Sequence, residues 1–210
     1  MKKMLIADDH PVVREGLKQI LLEISEMIVV DEAGTSQEIL ERVQQNEYDL
    51  VLLDISMPDR SGLDVLKELK RTKPNLQILM ISIHPEEQYA VRAMRAGAAG
   101  YLTKESAPDE LVAAVQRVLL GRKYINSSLA EKLAFALEVD VKELPHEILS
   151  DREYQVMCMI ASGKTVKEIA GELMLSDKTV NTYRSRVLRK MRVNSTVELI
   201  HYAIKHRLVD

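Results

Sequence analysis

The sequence predicts an α/β fold, a five-stranded parallel doubly wound domain, joined to a small all-α domain. Three observations carry this. Across roughly the first 120 residues, five short apolar runs alternate with segments of helical period. That is the pattern of βα units forming a parallel sheet with helices on both faces. The runs are apolar throughout rather than alternately, as in strands buried on both sides. After Gly121 no strand-like run recurs and only helical patterns remain.

In order, "MLIAD" (4–8) opens the sheet, and a helix over 11–23 follows with Val13, Leu17, Ile20 and Leu21 on one face. "MIVVDEA" (27–33) precedes a helix at 35–46, and "LVLLD" (50–54) one at 62–71. "QILMIS" (77–82) precedes a helix at 86–96, and "GYLT" (100–103) one at 107–120. Residues 1–121 are thus one domain of ordinary size. Residues 122–148 read as a linker with one helix, capped by Asn126 or Ser128 and carrying Leu129, Leu133 and Leu137. Residues 149–210 are the helical domain. Ser150 or Asp151 caps its first helix, Val156, Met159 and Ile160 face its core, and Gly163 stops it. "TVKEIAGELM" is the second helix, with Thr165 and Glu168 spaced for a capping box. Ser176 opens a third over 177–191, and Asn194 or Ser195 opens a fourth that runs to about His206.

Hydrophobic residues at 46% and charged residues at 29% are ordinary for a soluble globular chain. No apolar run nears the ~18 residues of a membrane span, and the run after "MKK" is too short for a signal peptide. The expected location is the cytoplasm, with no membrane partner. A single cysteine, Cys158, lies in "VMCMIA", which excludes a disulfide framework or multi-cysteine zinc site and reads as a core position. The net charge of −3 hides a split. Residues 150–210 carry 11 Lys and Arg against 7 Asp and Glu, a balance of +4, which leaves 18 against 25, or −7, for residues 1–149. An acidic front and a basic back point to two domains with different partners, the basic one a candidate nucleic-acid surface.

A carboxylate, Asp54, ends the apolar run "LVLLD". In an open parallel sheet, ligands bind outside the carboxyl ends of the strands. Those ends carry Asp8 and Asp9, Asp54, Ser82, and Thr103 with Lys104. Close carboxylates repel one another and call for a cation. Hard oxygen donors suit Mg²⁺, held by one or two carboxylates plus phosphate oxygens and water. A carboxylate beside such an ion is a nucleophile towards phosphorus, forming an acyl phosphate. Lys104 would neutralise phosphoryl oxygens, and the Ser82 hydroxyl would donate to another. Pro58 and Gly62 turn the chain back and leave Asp54 at the rim.

"ADDH" (7–10), "LLDISMPDRSG" (52–62), "MIS" (80–82) and "GYLTK" (100–104) resemble the receiver domain of two-component response regulators, over roughly 3–120. The resemblance implies a flavodoxin-like, CheY-like fold and phosphorylation of Asp54 by a sensor histidine kinase. It implies Mg²⁺ on Asp9, Asp54 and the Ser56 carbonyl, with Asp8 in support. Ser82 and Tyr101 become the switch pair, and Lys104 the phosphoryl contact. Taken singly these residues are bland: Ser82 as a helix cap, Tyr101 as a half-buried strand aromatic. His10, just before Pro11, reads as a helix-entry residue. His84, two residues past Ser82, stands where side chains affect hydrolysis of the acyl phosphate in the family.

In the basic half, two helices, a short turn and a cation-rich third helix make a helix-turn-helix. Val180, Tyr183, Val187, Leu188 and Met191 form the buried stripe of that third helix. Lys178, Arg184, Arg186, Arg189, Lys190 and Arg192 decorate the rest, with no acid from 178 to 192. Cations so placed suit phosphate contacts, while Asn181, Thr182 and Ser185 are free to enter the major groove. The whole stretch resembles the LuxR-type DNA-binding domain of the NarL/FixJ regulators, over roughly 149–208, and within that family the GacA/UvrY branch. The resemblance implies phosphate contacts at Lys178, Thr179 and Arg184, base contacts around Asn181, Thr182 and Ser185, and dimerisation through the last helix. Many relatives carry a lysine where this chain has Asn181, so the target sequence is not transferable.

The leading reading is a phosphorylation-switched transcription regulator acting on double-stranded DNA, a homodimer on activation, and not an enzyme beyond slow self-dephosphorylation. A Mg²⁺-dependent phosphatase of the aspartyl-nucleophile kind shares Asp54 and Lys104. It needs a second acid two residues after the nucleophile, where this chain has Ser56. No glycine-rich dinucleotide fingerprint follows the first strand. A DNA-binding protein whose receiver no longer takes phosphate is the third reading.

Overall fold

A computed structural model describes all residues except 25–27, 139–143, 207 and 210, and the side chains of 87, 132 and 135–138 are also left out. The chain divides into two compact units, Met1–Ala130 and Glu131–Asp210.

In the first unit, strands β1 (Lys2–Ala7), β2 (Ile28–Ala33), β3 (Leu50–Asp54), β4 (Gln77–Ser82) and β5 (Gly100–Thr103) alternate with helices α1 (Pro11–Ile24), α2 (Ser36–Gln45), α3 (Gly62–Thr72), α4 (Glu86–Arg95) and α5 (Pro108–Leu119). All strands pair in parallel, in the order β2-β1-β3-β4-β5. The expected doubly wound sheet is therefore present. The first strand sits two residues earlier than the apolar run alone indicates, and Met27, expected in the second strand, lies outside the described residues. Every residue of β3 is buried. On one face Met4, Ile6, Leu50, Leu52, Leu79, Ile81 and Leu102 form a core with Leu21 of α1 and Leu111, Val115 and Val118 of α5. The alternate residues Leu5, Val51, Leu53, Ile78 and Met80 are equally buried on the other face. Each such side chain contributes about 1.5–3 kcal/mol through burial.

A helix α6 (Ser127–Glu138) begins in the first unit. Asn126 caps it: its Oδ1 accepts from the Leu129 N–H at 2.8 Å. Leu129 is buried and Leu133 half-buried, while the side chain of Leu137 lies outside the described residues.

The second unit holds a 3-10 turn (Pro145–Ile148) that the hydrophobic pattern does not reveal, then α7 (Asp151–Ala161), α8 (Val166–Glu172), α9 (Asp177–Met191) and α10 (Thr196–Lys205). Ser150 and Thr165 close capping boxes with Glu153 and Glu168. Ser176 and Ser195 cap α9 and α10. Gly163, at φ +84°, ends α7 in the left-handed region that glycine adopts without strain.

Gly62 has a different constraint. Its N–H donates to the Ile55 carbonyl at 2.8 Å, and a Cβ there would lie 1.9 Å from the Asp54 carbonyl oxygen. Gly62→Ala is expected to cost about 1–3 kcal/mol or more in urea unfolding, because the backbone it meets has no room to yield.

Candidate functional site

The parallel register aligns Ala7 with Leu53, Asp54 with Ile81 and Ser82 with Thr103. The residues at and just past these strand ends therefore emerge on one edge, beside the β1/β3 boundary where the strand order reverses. Asp54 is the last residue of β3, and its side chain is 1% exposed. Its Oδ2 accepts from Lys104 Nζ at 2.8 Å and its Oδ1 from the Ser56 N–H at 3.2 Å. Lys104 Nζ also lies 2.6 Å from Asp8 Oδ2. Asp8 Oδ1 accepts from the His10 N–H at 2.9 Å.

Burial raises the Asp54 carboxyl above its ordinary range, opposed by the Lys104 charge and reinforced by Asp8. Burial alone would lower the Lys104 ammonium, but Asp54 and Asp8 outweigh it and hold the amine protonated. Asp8 and Asp54 thus share one ammonium, and Asp9 lies beside Asp8. Asp9 Oδ1 is buried without a hydrogen bond. The His10 Nδ1 lies 2.7 Å from it. Donor atoms of Asp8, Asp9 and His10 all lie within 4.8 Å of one another. Adjacent carboxylates, with an oxygen of Asp9 that no hydrogen bond satisfies, fit a divalent cation held by oxygen donors. His10 does open α1, its carbonyl accepting from the N–H groups of Val13 and Arg14. Its ring also lies within the donor group, a ligand role that the sequence alone offered little reason to prefer over helix entry. The one signal available was its place next to two aspartates.

The expected switch residues are both fully buried. Ser82 Oγ accepts from the His84 N–H at 3.1 Å, and the Tyr101 hydroxyl donates to the His84 carbonyl at 2.8 Å. The His84 ring reaches the other way, with Nε2 3.2 Å from Ser56 Oγ and its centroid 4.8 Å from that of the tilted Tyr89 ring. His84 thus ties together the loops after β3 and β4. Asp59 is a second contributor that pattern reading overlooked. Its carboxylate accepts from the backbone N–H of Ser36 at 3.1 Å and from the Ser36 hydroxyl, anchoring the Asp54 loop to the start of α2.

In the second unit, α9 buries Val180, Val187 and Met191, with Tyr183 and Leu188 half-buried. Lys178, Asn181, Thr182, Ser185, Arg186 and Arg189 are exposed. The Asn181 amide donates to the Asp177 carbonyl at 3.0 Å, and the hydroxyls of Thr182 and Ser185 donate to the carbonyls of Lys178 and Asn181 at 2.9 Å. These side chains fold back on their own helix and exchange such bonds for others at little net cost. Two expected cations have internal partners: Arg184 donates to Thr196 Oγ1 at 2.7 Å, and Lys190 pairs with the buried Glu153 at 2.6 Å.

Among the described residues, no helix is long and apolar enough to cross a membrane. Two family models match the chain, "Response regulator receiver domain" over residues 4–116 and "Bacterial regulatory proteins, luxR family" over residues 147–203. The chain is 41% identical to Response regulator UvrY of Escherichia coli (strain K12), covering all of this chain and 97% of that protein. It is 37% identical to Response regulator GacA of Pseudomonas aeruginosa, covering 100% and 99%. Among solved structures it is similar to RcsB from Salmonella enterica serovar Typhimurium bound to promoter rprA in the presence of phosphomimetic BeF3-. That similarity has a TM-score of 0.64 at 26% identity, covering 96% of this chain and 97% of that one.

The raised carboxyl of Asp54 has a consequence for stability. A raised acid favours the fold fully below its unfolded-state pKa, and that contribution is lost as pH rises through the folded value. Ionised Asp54 therefore costs stability at neutral pH. Without divalent metal, Asp54→Asn should unfold at higher urea, by ~0.5–2 kcal/mol, and the gain should shrink as pH falls below the carboxylate range. Adding Mg²⁺ should raise the melting temperature of the wild type, and less so that of Asp9→Asn.

Proposed function

The chain belongs to the response regulators, in the group that joins a receiver domain to a LuxR-type DNA-binding domain, and we propose that it switches transcription when Asp54 takes a phosphoryl group. The donor is a phosphohistidine of a sensor kinase. An Asp54 oxygen attacks phosphorus, the P–N bond breaks with its electron pair left on the imidazole nitrogen, and an acyl phosphate results. Asp9, Asp54 and the Ser56 carbonyl, with Asp8 in support, would hold Mg²⁺, which would supply positive charge against the phosphoryl oxygens. Lys104 leaves its carboxylate partners to contact the same group. Ser82 gives up the bond from the His84 N–H and donates to a phosphoryl oxygen, and Tyr101 responds through the same residue. The observation that supports this best is one lysine held between Asp8 and Asp54 at the strand ends, with a buried carboxylate oxygen of Asp9 still unsatisfied.

The output is double-stranded DNA. Exposed Lys178, Arg186 and Arg189, with Thr179, Arg184 and Lys190, serve phosphates, and Asn181, Thr182 and Ser185 serve base edges. Residues 1–121 act as the receiver, 122–148 as the linker and 149–210 as the reader. The active species is a homodimer in the cytoplasm.

With Mg²⁺ and acetyl phosphate, the intact mass should rise by one phosphoryl group, and Asp54→Ala should show no gain. A wild type that gains none defeats the pocket reading. Sedimentation of the same samples tests the dimer. On mixed-sequence duplex DNA, Arg186→Ala should weaken binding and lower by about one the slope of log affinity against log salt. Its melting temperature should stay unchanged, since that side chain is exposed.

A further inference from the structure

The segment between α5 and α6 does not hang free of the receiver. The Tyr124 N–H donates to the Ala99 carbonyl at 2.7 Å, beside the start of β5. Its ring packs against the apolar core of the first unit. Its hydroxyl donates to Glu110 of α5 at 3.0 Å. Burial, with Glu110 beside it, pushes the Tyr124 phenol up to about 12, so it stays a donor throughout the neutral range. Arg117 of α5 holds the Lys123 carbonyl at 2.8 Å. Gly100 makes room for this: a Cβ there would lie 2.9 Å from the Tyr124 carbonyl oxygen and from Leu79 Cδ1. Residues 123 and 124 are thus strapped to β5 and α5.

Asn126 then does two things with one side chain. Its amide nitrogen donates to Glu86, the first residue of α4, at 2.5 Å. Its amide oxygen caps α6 through Leu129. Glu86 lies two residues past His84, whose N–H and carbonyl are bonded to Ser82 and Tyr101. Hydrogen bonds at either end of the three-residue segment 84–86 therefore join the residues that answer the phosphate to the residue that caps α6.

We infer that the strap 122–130 is the output element of the receiver, with Asn126 as the positioning residue that couples the start of α4 to α6. When Ser82 and Tyr101 change partners, the 84–86 segment shifts, Glu86 leaves Asn126, and the cap of α6 is loosened. A differential bond of this kind is what lets a ligand bias one of two conformations. The inference rests on Asp54 phosphorylation for its trigger, while the attachment of the strap stands without it.

Hydrogen exchange on the full-length protein reads both parts. In unphosphorylated protein, Glu86→Ala should raise exchange at amides 127–130 roughly tenfold, the worth of one bond to a charged group, and Glu86→Gln should restore most of the protection. Unchanged exchange in Glu86→Ala overturns the attachment. In wild type with Mg²⁺ and acetyl phosphate, the same amides should exchange faster, whereas Glu86→Ala should show little further change. Phosphorylated wild type, verified by mass, whose 127–130 amides exchange as before overturns the coupling. A protein that gains no phosphoryl group overturns the trigger proposed for Asp54, and the Glu86→Ala comparison still decides the strap. A purely structural Asn126 would let Glu86→Ala lower the melting temperature yet keep the full response to phosphorylation.

Discussion

One ammonium group, Lys104 Nζ, sits 2.6 Å from Asp8 and 2.8 Å from Asp54 at the edge of a sheet whose central strand β3 is wholly buried. The surrounding architecture serves that arrangement. Burying carboxylates is costly unless they are paired and hydrogen-bonded, and here one lysine serves two. β1, β3 and β5 bring these groups to one edge, and both faces of the sheet are packed. Their ends stay put while like charges push against one another.

The loops around Asp54 are held by few but well-placed bonds. Gly62 lets the chain turn back against the Asp54 carbonyl, Asp59 ties that turn to α2, and Ser56 meets His84. His84 uses its ring towards the β3 loop and its backbone towards Ser82 and Tyr101. A change at one of these partners is therefore felt by the others. Interior groups so connected shift between discrete arrangements rather than deform smoothly.

The helical unit is built on the same economy. Capping residues at four helix starts satisfy backbone donors that would otherwise be orphaned. Glu153 serves both the cap of α7 and the ion pair with Lys190 of α9. Although burial alone would raise it, those bonds hold its carboxyl below the ordinary range. Helix α9 is fixed by its buried stripe of Val180, Val187 and Met191, while Lys178, Arg186 and Arg189 are exposed.

The apolar runs, their helical intervals and the polar residues at the strand ends were all readable in the sequence. Period and capping chemistry are local properties of the chain. Thr165 with Glu168, Ser176, and Gly163 announce helix ends by residue type alone. The alignment of Asp8, Asp9, Asp54, Ser82 and Lys104 on one edge also follows from the parallel reading, since such sheets collect their strand ends. What only the tertiary structure decided are contacts between residues far apart in sequence: Asp59 with Ser36, His84 with Ser56, Lys190 with Glu153, Asn126 with Glu86. Asn126 was readable as a cap, but not as the partner of α4. The reason is physical. A cap is set by its own next turn of helix, whereas a long-range hydrogen bond exists only after packing has set the distance and direction between two elements.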